Sequence, residues 1–425
     1  MGIKTHKMDF KDTFCSSPWF HARITEDGNY NFCTWQKTKD EKLHNISDIT
    51  PIDYFQNKME KIRKSMVAGE VIDECSECYR KERNNIPSPR KNTLLKTGIE
   101  LDNFDKTLQA SPFYDEFKKT ADGGKCKLLP IAWHINMGNF CNSACVYCTP
   151  AHSSTMATEF IKMNLIDKSQ KPPQAWCRDS ILLKKFTDTL LQTKNLKFIH
   201  FISGETMITP TFMHVLRILN ENNMHGISIG FVTNLTVWDE ELNNILSKFK
   251  EVNVGFTVET FDEINDYIRY PSKIENVREI LSKWIALGKK NKWLLKMRLS
   301  PTWMTVDSID TVFEYAYNNG IGIECGLMSK STSMRINALP QPLLAQVISQ
   351  FERWISSKDE IDKSANQLEV IGVAHHYLNY MKRAKYEPKL LHGIITFIKK
   401  LEQRRNNSII NYKPHYEEFL RLAGY

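Results

Sequence analysis

The sequence predicts an α/β protein built on a partial (β/α)6 TIM-like barrel. A small N-terminal Cys-rich α+β module precedes the barrel and a helical C-terminal segment follows it. Three observations predict this. Six continuous apolar strand candidates recur along the middle of the chain, helical stretches separate them, and polar residues gather where the strands end.

The strand candidates are 129–137, 196–202, 227–233, 252–258, 293–300 and 321–327. The helices between them are 181–192, 211–222, 239–249, 274–289 and 307–318. Apolar strands alternating with helices imply a parallel sheet with right-handed crossovers. Six units rather than eight imply an incomplete barrel, whose chemistry sits at the C-terminal mouth of the strands. The expected division is a Cys-rich module over 1–95, a linker over 96–127, the barrel over 128–339 and a helical segment over 340–425.

Composition excludes several classes. At 425 residues, 41% hydrophobic and 25% charged, the chain reads as soluble and globular with ample core. A net charge of +8 without a dense Lys/Arg run does not point to nucleic acid. The start, Met1 to Lys7, lacks the apolar region of a signal peptide, and Met1-Gly2 followed by His6 misses the Ser/Thr of a myristoylation signal. No run approaches the ~18 apolar residues of a membrane span, so a cytoplasmic protein is expected. Ten cysteines here are not a disulfide framework. Seven fall into two spaced groups, while Cys126, Cys177 and Cys325 read as buried thiols.

The first group is Cys141, Cys145 and Cys148, a C-x3-C-x2-C run directly after the first barrel strand. Three thiolates on one loop can hold three irons of a [4Fe-4S] cube and leave the fourth iron open to a ligand. A zinc site completed by His152 is the competing reading. The other strand ends carry Ser203-Gly204-Glu205, Asn234, Thr257 with Glu259, and Ser300. These residues share one rim with the cysteine triad, and that convergence makes a cofactor mouth of the rim.

The second group is Cys15, Cys33, Cys75 and Cys78. A strand at 21–24, a Glu26-Asp27-Gly28-Asn29 turn and a return strand from Tyr30 to Trp35 form a hairpin that brings Cys33 towards Cys15. A helix over 53–66 then delivers the Cys75-x2-Cys78 knuckle. Spacing alone leaves zinc and an iron-sulfur cluster both open for this centre.

The C-x3-C-x2-C loop and its rim closely resemble the radical S-adenosylmethionine (SAM) superfamily. In that family the open iron chelates the amino and carboxylate groups of SAM, and an electron from the cluster cleaves SAM to a 5'-deoxyadenosyl radical. Ser203-Gly204-Glu205-Thr206 is similar to the family's G-G-E-P motif, with Ser203 and Thr206 departing from it. The resemblance implies that Gly204 and Glu205 receive the SAM amino group, Thr257 the ribose and Arg269 the carboxylate, with Tyr147 at the adenine position and Asn234 on the same rim. Taken alone, Arg269 reads as a surface charge at a helix start. The order Cys15, Gly28-x4-Cys33, Cys75-x2-Cys78 resembles the twitch module, a short form of the SPASM domain. It implies a second, auxiliary [4Fe-4S] cluster in a module that precedes the barrel rather than following it.

The resemblance further implies hydrogen abstraction from a peptide or protein substrate, or oxidation of a small molecule, with a reductase such as flavodoxin or ferredoxin as electron donor. No residue is assigned as the catalytic acid or base. A zinc-stabilised binding protein on a degenerate barrel is the reading from another class. The long stretch between Cys148 and Ile181, with His152-Ser153-Ser154 and Lys171-Pro172-Pro173, reads as a lid or substrate loop. Helices at 343–355, 370–381 and 390–403 should pack on the barrel. Lys399-Lys400 and Arg404-Arg405 read as a solvated basic face, and His375-His376 as a surface pair.

Overall fold

The computed structural model describes residues 10–36, 43–83, 88–328, 331–358 and 363–425. The start from Met1 to Lys7, and residues 84–87 near the end of the expected Cys-rich module, lie outside the described residues. All six barrel strands form, each within one or two residues of its expected end at the C-terminal side. They are β3 (Ala132–Asn136), β4 (Phe198–Ile202), β5 (Ser228–Thr233), β6 (Glu251–Thr257), β7 (Leu294–Leu299) and β8 (Gly322–Cys325). An N-terminal hairpin, β1 (His21–Ile24) and β2 (Tyr30–Asn31), brings the sheet to eight mostly parallel strands. The order is β2-β1-β3-β4-β5-β6-β7-β8, so consecutive barrel strands are neighbours and helices fill the crossovers between them. Among the described residues no helix is long and apolar enough to cross a membrane.

The chain divides into two compact units. The first comprises Met1–Gly138, Pro173–Ile202 and His214–Ile229. In it β1 pairs antiparallel with β2 and parallel with β3, with His21 opposite Ala132. Gly28, at φ +86°, makes the tight turn between β1 and β2 that a side chain would strain. Trp133 of β3 packs edge-on against Phe186 of the helix Ser180–Gln192, while the alternate residue His134 points to the other face. The expected helix over 53–66 is broken: a wider π-type turn, Tyr54–Lys58, separates Pro51–Asp53 from Glu60–Val67. The 96–127 stretch, expected as a linker, is folded. Its helices Phe104–Ala110 and Tyr114–Gly123 set Phe104 and Phe117 against Phe14, and Thr120 accepts the Trp19 indole N–H at 3.0 Å.

The second unit comprises Asn139–Pro172, Ser203–Met213 and Gly230–Tyr425. Here β6, β7 and β8 pair in parallel, Thr257 opposite Arg298 and Leu299 opposite Cys325. Trp284 of the helix Ile274–Lys290 is fully buried against Phe231 and Phe256. The three C-terminal helices form as Gln341–Ser356, Ala365–Arg383 and Pro388–Arg405. The basic end of the last one departs from expectation. Arg404 is partly exposed, but the Arg405 side chain is only 2% exposed.

Candidate active site

The cysteine loop is held from several sides, all within the second unit. Residues 144–146 lie against 268–270: the Ala144 N–H donates to the Tyr270 carbonyl at 2.7 Å and the Val146 N–H to the Ile268 carbonyl at 2.8 Å. The supposed lid begins as a clamp. Ser153 caps the helix Ser154–Lys162 by accepting the Met156 N–H, and its hydroxyl also donates to the Ser143 carbonyl at 2.6 Å. Ser154 accepts the Cys141 N–H at 3.1 Å, and Thr155 donates to the Cys141 carbonyl. Sequence reading missed Ser153 and Thr155 as loop holders, although a Ser-Ser-Thr run ahead of a helix is itself a capping signal.

The residues expected on the rim meet around this loop. Gly204 is the closest approach. A Cβ there would lie 2.6 Å from the Asn139 carbonyl oxygen and 2.7 Å from the Cys141 Cβ, so only glycine fits. Glu205 follows with its N–H on the Phe140 carbonyl at 2.8 Å and its side chain 1% exposed. Its carboxylate accepts from the Met207 N–H at 3.0 Å, the Thr233 hydroxyl at 2.8 Å and the Asn234 N–H at 2.5 Å. A carboxylate has about four acceptor positions, so one remains for an incoming ammonium. Burial pushes the Glu205 pKa up, and those three donors together with Arg269 oppose the rise. Ser203 turns to the Thr209 hydroxyl at 2.8 Å. Asn234 is taken up by the cysteine loop, donating to Asn142 at 3.0 Å and Ser143 at 3.1 Å, with Cys141 Sγ at 4.0 Å.

Arg269 is not the surface charge that its helix-start position suggests. It is 4% exposed and joins two of the expected residues. Its guanidinium donates to the Tyr147 hydroxyl at 3.0 Å and to the Thr257 hydroxyl at 2.9 Å. Tyr147 in turn donates to Glu259 at 3.1 Å, and Glu259 accepts the Ser300 N–H at 2.8 Å. Burial alone would lower the pKa of Arg269, but the acidic groups of Tyr147, Cys145 and Glu259 outweigh it and hold the guanidinium charged. Glu259, placed on the rim by its position two residues after Thr257, thus proves part of the site. Burial raises its pKa against the pull of Arg269.

Together these residues line a basin of about 610 Å³, whose walls include Cys141, Cys145, Cys148, Gly204, Glu205 and Arg269. Residues 135–297, which span the loop and this rim up to β7, match the model of the Radical SAM superfamily.

This chain carries a radical SAM domain.

The [4Fe-4S] cluster implied by a radical SAM domain fits the residues present. Burial pushes the Cys141 thiol up to about 11 and the Cys148 thiol up to about 12, and each thiolate is further opposed by a neighbouring one. Three buried thiolates are tolerable only where bound cations neutralise them. The Ser143 N–H lies 3.4 Å from Cys141 Sγ, a donor suited to a metal-bound sulfur. Among the described residues no three His, Cys, Asp or Glu side chains converge on a point that holds a single metal ion. A cube asks for something else, since its thiolates bind different irons. His152, on the basin wall, bonds the Thr149 hydroxyl through Nδ1 at 2.8 Å.

The four remaining spaced cysteines come together in the first unit, outside the radical SAM match. The Ser17 hydroxyl and the His21 ring both bond the Phe32 carbonyl, at 2.8 and 3.0 Å, which draws the end of the hairpin onto the Cys15 segment. Burial, then the charge of Cys33, pushes the Cys15 thiol up to about 12. Burial raises Cys75 too, with Cys15, Cys33 and Cys78 all adding to the rise, so the four thiols lie within electrostatic reach of one another. Arg90 braces them by donating to the Phe14 carbonyl at 2.9 Å while paired with Glu82. Arg23 Nε, whose guanidinium lowers the Cys33 pKa, is buried with no hydrogen-bond partner among the described residues.

Two solved structures are similar to parts of the chain. SuiB from Streptococcus suis, bound to precursor peptide SuiA, aligns over 81% of this chain and 72% of its own at 14% identity and TM-score 0.40. Native anSMEcpe with bound AdoMet aligns over 53% of this chain and 60% of its own at 18% identity and TM-score 0.39. No curated protein matches the sequence.

Proposed function

We propose that this chain is a radical SAM enzyme acting on a peptide or protein substrate. The observation that carries the reading is that the three thiols of one loop, the Gly204-Glu205 turn and buried Arg269 line a single basin. When bound, the cluster supplies the electron that cleaves SAM, and the resulting radical takes a hydrogen atom from substrate. The residues do the rest. Cys141, Cys145 and Cys148 would hold three irons. Glu205 offers its remaining acceptor position to an ammonium, and the Arg269 charge draws a carboxylate towards the same wall. Tyr147 and Thr257 orient Arg269, and the buried walls exclude water.

The Cys15, Cys33, Cys75 and Cys78 set is read as the ligands of an auxiliary [4Fe-4S] cluster in a twitch-like module. Their lying within electrostatic reach of one another supports it. The twitch-like reading favours a peptide or protein substrate, with small-molecule oxidation as the alternative, and an electron donor such as flavodoxin or ferredoxin completes the cycle. All ten cysteines are free thiols, which suits a reducing cytoplasm.

Anaerobic reconstitution tests the reading. About seven to eight irons per chain and 5'-deoxyadenosine released from SAM are expected. Zinc uptake without SAM cleavage overturns it in favour of a zinc-stabilised binding protein. Turnover with small alcohols and none with peptides moves the substrate to small-molecule oxidation.

A further inference from the structure

The C-terminal helix Pro388–Arg405 ends on Arg405, after which Asn406 turns left-handed at φ 48°. The turn directs the last side chain inwards. Its guanidinium donates to the Ala144 carbonyl at 2.6 Å and to the Tyr267 carbonyl at 3.4 Å, and it lies over the Tyr270 ring at 4.6 Å. Ala144 is fully buried and sits immediately before Cys145. Its N–H is already held by Tyr270, and Arg405 holds its carbonyl, the oxygen of the peptide that leads into Cys145. Glu159 stands 3.8 Å from Arg405 Nε without a hydrogen bond, and both atoms are buried without hydrogen-bond partners among the described residues. The charge is therefore only partly offset by the carboxylate beside it. The residue lies 108 positions beyond the end of the radical SAM match at 297, and nothing in that match assigns it.

We propose that Arg405 is a positioning residue for the cluster loop, clamping the Ala144 peptide and placing a buried positive charge beside Cys145 that favours the reduced cluster. The inference rests on the reading of Cys141, Cys145 and Cys148 as cluster ligands. Reduction adds one negative charge to a cluster, and a fixed cation in a medium of low dielectric stabilises that added charge. Arginine suits the task because it stays charged when buried and its planar fork serves a carbonyl and a ring face together.

The test is a redox titration of the anaerobically reconstituted full chain. It follows the reduced-cluster EPR signal that changes on adding SAM, so that the cluster with the open iron is the one read. Arg405→Gln is expected to move the midpoint to more negative potential and to lower the reduced fraction severalfold at the wild-type midpoint. Arg405→Lys keeps the charge and should hold the midpoint near wild type, while losing iron faster to a chelator. A purely structural role would move both variants alike. Full iron loading with an unchanged midpoint in Arg405→Gln overturns the proposal. If that variant does not fold, Glu159→Gln carries the test. Removing the offsetting carboxylate should move the midpoint to more positive potential, and no movement overturns the proposal there. A wild-type chain with no SAM-responsive cluster overturns the cluster reading as well, so the two failures are distinguishable.

Discussion

Tyr147 and Arg269, 122 residues apart in sequence, share a hydrogen bond of 3.0 Å at the wall of the basin. The bond fuses two separately motivated residues into one unit, because the Tyr147 hydroxyl also serves Glu259 and the other arm of Arg269 serves Thr257. Glu259 and Arg269 are both buried, so each compensates the charge of the other through the tyrosine.

Removing Arg269 should therefore cost more than removing Tyr147's hydroxyl. Arg269→Gln leaves Glu259 buried without its cation and is expected to lower stability by about 2–4 kcal/mol. Tyr147→Phe deletes one hydroxyl and should cost only about 1 kcal/mol. Urea unfolding of the two variants, with m values checked for equality, measures the difference. Equal losses would mean that Arg269 carries no charge compensation.

Gly204 sets a steric limit on the same wall. Gly204→Ala places a methyl against the Asn139 and Phe140 carbonyls and the Cys141 Cβ, all backbone or near-backbone atoms that cannot step aside. A cost of about 1–3 kcal/mol is expected, with the cysteine loop displaced. Iron analysis after reconstitution should show loss at the Cys141 loop while the N-terminal thiols stay loaded. Wild-type iron content and melting temperature in this variant would refute the tight approach.

The barrel was legible because its signal is local. Runs of apolar residues ending in Cys141, Glu205, Asn234, Thr257 and Ser300 mark strand and rim with no knowledge of what lies across from them. The helix broken at Tyr54–Lys58 was not legible, since apolar residues continue at near-helical spacing through the wider turn. Contacts between distant segments left no trace either. Arg405 reaches a carbonyl 261 residues away, Arg90 one 76 residues away, and the hairpin strand β1 pairs with β3 across more than a hundred residues. One sequence carries no record of such pairings, so Arg405 read as a solvated end and the 96–127 stretch as a linker.

The first unit should be sensitive to acid through a histidine pair. The Nδ1–H of His21 must donate to the Phe32 carbonyl, which can only accept. Its Nε2 is then a lone pair that accepts from His134 Nδ1–H, and the two nitrogens are 2.6 Å apart. Protonating His21 would set two N–H groups against each other. Burial, opposed by the Phe32 bond, lowers the His21 pKa to about 4, and burial with the charge of His21 lowers that of His134. The unfolded chain, with histidines near 6.5, binds more protons than the folded one between pH 6.5 and 4. Stability therefore falls as pH drops through that window, by up to about 1.4 kcal/mol per pH unit for each histidine. Urea midpoints measured across it should show a shallower slope in His134→Gln than in the wild type.

The two cysteine groups should load independently, because each set of thiols belongs to its own compact unit. Cys145→Ser removes one of three thiols from the loop that lines the basin, and Cys75→Ser one of the four spaced thiols in the first unit. Each variant is expected to lose about four irons and retain about four. Only Cys145→Ser should abolish the spectral change on adding SAM, since the thiol it removes belongs to the loop proposed to hold the cluster with an open iron. Cys75→Ser should keep that change and still release 5'-deoxyadenosine from SAM. Iron assay and EPR with and without SAM give both readouts from one preparation. Loss of SAM response in Cys75→Ser with the other cluster fully loaded would mean that the four-thiol group, not the three-thiol loop, receives the cofactor.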